Sequence, residues 1–278
     1  NADFIEQLDL HYDDIVSVEK GGEIIPKITS VDLNQRNDGS QKVTFITHCP
    51  ECGTQLVNIE GETAWYCPNT LGCPPQIKGR IEHFISRKAM NIESLGEGKV
   101  EVLFDNNLIK DYSDLYNLKY NDIFGLEKII VVDDGKENIV RKVSFKEKTA
   151  NNIIDAIEKS KNIPFARVLF ALGIKYVGET TAKLIAKAMG SIDNIINASV
   201  EELTEIEEVG EKIAISIKDF FNDERNIHII NRLKEAGLQF EQNKNVQDET
   251  SSSNILSGMS IVVSGVFSTM SRDEIKQL

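Results

Sequence analysis

Hydrophobic and polar positions alternate along the first part of the chain. Residues 14–31 carry two β-branched runs on either side of a Gly21-Gly22 turn, which predicts two paired strands. Residues 41–47 are predicted to form another strand on the same grounds. These strands are too few to close a barrel by themselves.

From Gly79 onward the hydrophobic positions recur at helical spacing. Ile81, Phe84 and Ile85 mark the buried face of the first predicted helix. Further on, two β-branched runs within residues 128–143 flank an Asp-Gly pair, which predicts a β-hairpin inserted among the helices.

One short pattern repeats between the helical stretches. It consists of a hydrophobic residue, glycine and glutamate, and its glycines are Gly96, Gly178 and Gly210. A degenerate fourth copy has Lys146 in place of glycine and leads into a helix predicted over residues 152–159. One such triplet would indicate no more than a helix cap, but repetition in the same context indicates an array of one supersecondary unit.

The unit is clearest around the last glycine. Leu203 and Ile206 are predicted to lie on a first helix and Val209 to pack beneath the turn. Gly210 is predicted to adopt a backbone angle that other residues resist, and Ala214 lets the two helices cross closely. This is the helix-hairpin-helix pattern. The free N–H groups at the start of its second helix can bind a phosphate oxygen, a contact that does not read base sequence.

All four cysteines of the chain lie close together, at Cys49, Cys52, Cys67 and Cys73. The first pair, Cys49 and Cys52, and the second pair, Cys67 and Cys73, each predict a short turn, or knuckle. Two such knuckles place four thiolates around one point, as tetrahedral Zn²⁺ requires. The alternative, two disulfides in a secreted protein, is disfavoured because the rest of the chain has no cysteine. A catalytic zinc is disfavoured because four protein ligands leave no position for water. His48 could compete as a ligand but is expected to be a solvated neighbour.

Composition narrows the class of protein. The 278 residues are 41% hydrophobic and carry 31 basic against 44 acidic side chains, for a net charge of −13. This balance argues against a uniformly basic nucleic-acid surface but leaves room for a local one. The chain has no apolar run of membrane-spanning length and no signal peptide, and the metal-type cysteines suit a reducing compartment, so we expect a cytoplasmic protein.

The order of these elements closely resembles the C-terminal half of bacterial NAD-dependent DNA ligases. The resemblance implies a multidomain, mainly α-helical fold with a partial β-barrel. The implied parts are the end of an oligonucleotide-binding (OB) fold at 1–45, a four-cysteine zinc finger at 46–78, four helix-hairpin-helix units at 79–240, a linker at 241–256 and the beginning of a BRCT domain at 257–278.

Ligases of this family seal nicks in duplex DNA during replication and repair. A lysine in a Lys-x-Asp-Gly motif takes AMP from NAD with the help of Mg²⁺, and the AMP then activates the 5′-phosphate. That motif is missing here. The nearest match, residues 36–39, has Arg36 in place of lysine and is interpreted as a coincidence. The resemblance therefore implies a DNA-gripping portion that is inactive alone, with structural Zn²⁺ in this chain and NAD and Mg²⁺ bound elsewhere in the intact enzyme.

The implied partner is nicked double-stranded DNA, bound by a monomer. The predicted contacts are the hairpin glycines and nearby lysines: Gly96, Lys99, Lys146, Lys148, Gly178, Gly210 and Lys212. Two alternatives stay open, a non-enzymatic helix-hairpin-helix scaffold for DNA repair or junction binding, and a structural zinc protein that binds other proteins.

Overall fold

The computed structural model describes residues 1–21, 25–59, 62–133 and 138–242. The described residues up to Glu241 form one compact unit. The predicted linker and the predicted start of a BRCT domain fall almost entirely outside the described residues. None of the described helices is long and apolar enough to cross a membrane.

The N-terminal part contains a short helix and one β-hairpin: α1 (Ala2–Gln7), β1 (Val16–Gly21) and β2 (Ile25–Val31). The two strands pair antiparallel from Val16 opposite Val31 to Gly21 opposite Ile25, which confirms the predicted pairing. No hydrophobic side chain in the described part of residues 1–48 is fully buried, and Ile15, Val18 and Ile25 are all more than half exposed. This segment therefore lacks a core of its own.

The strand predicted over residues 41–47 is wrong. The structure has one isolated bridge there, with Lys42 opposite His11, and a bond from Val43 N–H to the Leu10 carbonyl oxygen at 2.8 Å. Asp9 and Asp13 on the facing segment have positive φ values of 45° and 65°. A ladder cannot continue past those turns because they rotate the facing backbone groups out of register.

Two short strands and a helix follow: β3 (Val57–Asn58), β4 (Trp65–Tyr66) and α2 (Pro74–Ile85). The helix begins five residues before the helical pattern that opens at Gly79. Its first two residues are prolines, and Cys73 is its N-cap. Proline is well suited to the first turn of a helix because the N–H it lacks would have no partner there.

The rest of the described chain is helical apart from one further hairpin. Its elements are α3 (Glu97–Asp105), a 3₁₀ helix (Tyr112–Asn117), α4 (Tyr120–Ile123), β5 (Glu127–Asp133), β6 (Asn138–Ser144), α5 (Glu147–Ser160), α6 (Phe165–Ala171), α7 (Glu179–Met189), α8 (Ile192–Asn197), α9 (Val200–Thr204), α10 (Glu211–Asn222) and α11 (Glu224–Glu235).

The packing of these helices confirms the predicted repeat. The pairs α2/α3, α4/α5, α6/α7 and α9/α10 each pack together. In the second pair the connection contains the inserted hairpin β5–β6, whose strands run antiparallel from Glu127 opposite Ser144 to Asp133 opposite Asn138. One detail differs from prediction. Helix α9 ends at Thr204, so Ile206 lies in the turn, where its carbonyl oxygen accepts from Val209 N–H at 3.0 Å.

Helix α2 joins the cysteine-rich segment to the helical array. Ile81, Phe84 and Ile85 are buried on one face, as predicted, and the Phe84 ring stacks on Tyr112 at 4.5 Å between centroids. On the same helix, His83 Nε2 lies 2.8 Å from the carbonyl oxygen of Phe170. Each large apolar side chain buried in this way stabilises the fold by about 1.5–3 kcal/mol, so α2 is firmly anchored.

Candidate metal centre and nucleic-acid interface

The four cysteine sulfur atoms converge on one point. Their Sγ atoms all lie within 4.8 Å of one another, with Cys49 and Cys73 3.9 Å apart and Cys52 and Cys67 3.5 Å apart. A tetrahedral Zn²⁺ with Zn–S bonds of about 2.3 Å has sulfur atoms about 3.8 Å from each other. The spacing fits that ion and is too long for a disulfide, whose S–S bond is about 2.05 Å.

The first knuckle is a tight turn closed by backbone hydrogen bonds. Cys49 N–H donates to the Thr54 carbonyl oxygen at 2.8 Å, and Gly53 N–H donates to the Cys49 carbonyl oxygen at 2.9 Å. Gly53 has a φ of +69°, which favours glycine. His48 is exposed and lies outside the sulfur cluster, with Nδ1 2.9 Å from Thr47 Oγ1. It is the solvated neighbour that the sequence predicts.

The second knuckle leads directly into helix α2. Cys73 N–H donates to the Asn69 carbonyl oxygen at 3.0 Å, and Gln76 Nε2 donates to the Cys67 carbonyl oxygen at 3.0 Å. A Cβ on Gly72 would come within 2.5 Å of Asn69 Oδ1, so a side chain there would require the Asn69 side chain to move. Because Cys73 is the N-cap residue of α2, the start of the helix positions this fourth ligand. The metal centre and α2 therefore form one structural unit.

The thiols differ in acidity. Hydrogen bonds with Thr54 lower the pKa of Cys52 to about 6, whereas burial raises the pKa of Cys73 to about 12. Burial also raises the pKa of Cys67. Zinc binds thiolates, so binding must displace the protons that Cys67 and Cys73 hold at neutral pH.

Zinc retention is expected to fall as the pH is lowered from 7 to 5. Protons compete with the metal at every thiolate, and a lower pH favours the neutral thiols, which do not bind zinc. The measurement is the rate and extent of zinc release to a chromophoric indicator across this range. Release that does not change with pH would contradict thiolate coordination.

The hairpin glycines occupy equivalent positions in the structure. Gly96, Gly178 and Gly210 are the N-cap residues of α3, α7 and α10, and Lys146 is the N-cap residue of α5. None of the four helices has a side-chain cap at this position, so the backbone N–H groups of the first turn are not covered by their own N-cap residue. Lys146 thus shares the N-cap position of the three glycines, but Ser144, two positions before it, is not among the residues with positive φ.

The predicted backbone strain at Gly210 is wrong. Its φ is −80° and its ψ is 170°, angles that any residue adopts. The left-handed residue of each hairpin comes two positions earlier, at Ser94, Tyr176 and Glu208, with φ values of 64°, 67° and 64°. The three residues share no residue type, so the sequence gives no signal for this conformation.

The hairpin glycines also have open space around the position of a side chain. A Cβ built on Gly96, Gly178 or Gly210 meets no atom within 4 Å, and all three residues are exposed. Neither the local backbone nor internal packing requires glycine at these places. The open space at each N-cap is what a closely approaching external group would need.

The predicted lysines have different surroundings. Lys99 is half-buried, and its Nζ donates to the Ser94 carbonyl oxygen at 2.5 Å within the first hairpin; burial lowers its pKa. Lys146 and Lys148 are exposed and form no ion pair with the residues described. Lys212 lies 3.7 Å from a carboxylate oxygen of Glu62 and 4.3 Å from the centroid of the Tyr176 ring. The sequence pattern singles out neither of these neighbours.

Together, the fold and the site define a protein with a four-cysteine zinc finger joined to an array of helix-hairpin-helix units. Comparison with protein families gives the same description. Residues 48–74 match the NAD-dependent DNA ligase C4 zinc finger domain, and residues 167–230 match the helix-hairpin-helix motif. The second match covers the third and fourth units.

The whole chain is similar to part of several bacterial DNA ligases. It is 52% identical over 278 residues to a DNA ligase of Phocaeicola vulgatus and 50% identical over 277 residues to one of Flavobacterium psychrophilum. It is 42% identical over 279 residues to a DNA ligase of Azobacteroides pseudotrichonymphae. All of the chain is covered in each case, and it spans 39% of each relative's length. Residues 48–74 thus match the zinc finger domain of NAD-dependent DNA ligases, and the whole chain resembles a portion of bacterial DNA ligases.

Proposed function

We propose that this chain is the DNA-binding portion of an NAD-dependent DNA ligase and holds nicked duplex DNA through its helix-hairpin-helix array. The observation that supports this most is the uncapped helix start that all four units present. Each presents the uncapped start of a helix, and three of them leave open space at the N-cap glycine. Backbone N–H groups with this arrangement suit phosphate oxygens.

The contacts we propose are main-chain contacts at Gly96, Gly178 and Gly210, with the lysines at 99, 146, 148 and 212 adding positive charge. Because these groups meet phosphates and not base edges, binding would be independent of sequence. Each of the four helices also begins with a glutamate, which lowers the local positive potential. We therefore propose that the chain alone binds DNA weakly and that other parts of the enzyme increase the affinity.

The zinc centre has a structural role in this proposal. A Zn²⁺ on the four cysteines has all its positions filled by protein, so it supplies folding energy to the finger and does no chemistry on DNA. NAD and Mg²⁺ would be bound outside this chain. The bacterial relatives are longer than the chain, which is consistent with a catalytic region elsewhere.

The ends of the chain complete the proposed domain plan. Residues 1–45 would be the last part of an OB-fold, because their hairpin exposes Ile15, Val18 and Ile25 on a segment without its own core. Those side chains need other strands to cover them. Residues 257–278 would begin a BRCT domain. We also propose that the protein acts as a monomer.

The isolated chain is expected not to form an AMP adduct with NAD. Lys-x-Asp-Gly does not occur in the 278 residues. At the nearest match, Arg36 is held by Asp14, with Nε–Oδ1 and Nη2–Oδ2 distances of 2.9 and 3.0 Å, and these bonds lower the pKa of Asp14. The measurement is intact mass after incubation with NAD and Mg²⁺, compared with a sample without NAD. A stable gain of one adenylate would show that the catalytic group lies within this chain.

A further inference from the structure

A glutamate of the zinc finger lies between the third and fourth hairpins of the array. Glu62 Oε2 accepts a hydrogen bond from Tyr66 Oη at 2.7 Å, and Glu62 Oε1 accepts one from Tyr176 Oη at 3.2 Å. Lys212 Nζ lies 3.7 Å from Glu62 Oε1. Two hydroxyl groups and an ammonium group therefore converge on one carboxylate.

A second lysine adds to the positive charge around this carboxylate. Lys175 Nζ lies 5.3 Å from the ring centroid of Tyr66 and 4.8 Å from that of Tyr176, and Lys212 Nζ lies 4.3 Å from the Tyr176 centroid. The Ser216 hydroxyl donates to the Lys175 carbonyl oxygen at 2.8 Å, which ties the third hairpin to helix α10. The group is thus built from both hairpins and the zinc finger.

The finger holds Glu62 in place through its backbone. Asn58 Nδ2 donates to the carbonyl oxygens of Glu62 and Ala64 at 2.8 and 3.0 Å. Glu62 follows β3 and precedes β4, the two-stranded sheet next to the zinc ligand Cys67. The Asn58 hydrogen bonds tie the backbone around Glu62 to the finger, which presents this carboxylate to the array.

The groups around Glu62 are the groups that bind a phosphodiester. Hydroxyl donors and lysine ammonium groups recognise any oxyanion, whether carboxylate or phosphate. Tyr176 lies two residues before Gly178 and Lys212 two residues after Gly210, so the cluster links the two hairpins that we propose contact DNA. The Glu62 carboxylate carries one negative charge, as a phosphodiester does, and it accepts hydrogen bonds from the same groups that would donate to a bound phosphate.

We propose that Tyr66, Lys175, Tyr176 and Lys212 form a binding site for a DNA phosphodiester, and that Glu62 occupies this site until DNA displaces it. The inference rests on the proposed function. It adds contacts from the zinc finger and the third hairpin to the DNA interface, and it gives Glu62 the role of an internal competitor. The Lys212 side chain is 69% exposed and the Glu62 side chain 23% exposed, so an incoming phosphate can reach the lysine from solvent.

The test is the affinity of the zinc-loaded chain for a nicked duplex, compared among four single variants and one double variant. Glu62→Gln keeps the shape of the side chain and is expected to bind about three- to tenfold more tightly, because a negative charge inside the proposed phosphate site is removed. Glu51→Gln makes the same charge change on an exposed residue of the same finger and is expected to bind as the wild type does. Lys212→Gln and Tyr176→Phe are expected to bind more weakly. In the double variant Glu62→Gln/Lys212→Gln, most of the gain is expected to be lost.

The outcomes are distinguishable. If the wild-type chain binds and Glu62→Gln binds no better than Glu51→Gln, the inference is overturned and the proposed function stands. If neither binds DNA at low salt, both are overturned. An equal gain of Glu62→Gln for the mononucleotide AMP would assign the site to a free phosphate and overturn its assignment to DNA. Zinc content and circular dichroism of each variant confirm that the finger is folded.

Discussion

Replacing Cys73 with serine is expected to release the zinc and unfold residues 48–74. Cys73 is a buried member of the sulfur cluster, so the change removes a thiolate, whereas serine remains a suitable N-cap residue for α2. In zinc-finger peptides the metal supplies about 10–16 kcal/mol of apparent binding free energy at neutral pH. The two short strands β3 and β4 cannot replace a stabilisation of that size.

The helical array is expected to survive this substitution. Its buried side chains lie between Ile81 and Phe240 and form a core that does not include the cysteines. The measurements are zinc content by elemental analysis and limited proteolysis, with circular dichroism to follow the helices. His48→Ala, a change beside the cluster at a residue that is not a ligand, serves as the control. Retention of one zinc and of protease resistance in Cys73→Ser would contradict the site.

Aspartate at Gly178 or Gly210 is expected to weaken binding to a nicked duplex by about tenfold or more, because it places a negative charge where a phosphate would lie. The substitution should not disturb the fold. Both glycines have ordinary φ values, −81° and −80°, and open space around the Cβ position. The loss would therefore report on DNA contact and not on folding.

Two controls separate charge from shape. Gly178→Ala and Gly210→Ala add a Cβ without charge and are expected to leave the free energy of unfolding within about 1 kcal/mol of the wild type. Asn222→Asp adds the same charge as Gly210→Asp at the other end of α10, about 18 Å away along the helix. It is expected to reduce the affinity much less. Unchanged affinity in both aspartate variants at the hairpins would favour a zinc protein that binds other proteins.

The positions that could be predicted from the sequence are those fixed by local spacing. The intervals between the four cysteines dictate two knuckles, and the sulfur atoms do converge. The repeat of hydrophobic residue, glycine and glutamate dictates the start of a helix at each copy, and the structure has one at Gly96, Gly178 and Gly210.

What the sequence did not reveal depends on contacts between distant segments. Residues 41–47 have the composition of a strand but lack a facing strand with which to pair. The strained residues of the hairpins, such as Glu208, carry no glycine or asparagine to mark them. Glu62 lies in a short connection without periodicity, and its contact with Tyr176 spans 114 positions of the chain. Only the packing of the finger against the array brings them together.

The most direct test of the central claim is the affinity of the zinc-loaded chain for a nicked duplex of arbitrary sequence, measured from low to physiological salt. We expect a weak complex whose affinity falls steeply and log-linearly with salt, as phosphate contacts require. We also expect duplexes of unrelated sequence to bind equally well. A folded, zinc-loaded chain that forms no complex at low salt, or one whose affinity depends on base sequence and not on salt, would contradict the account.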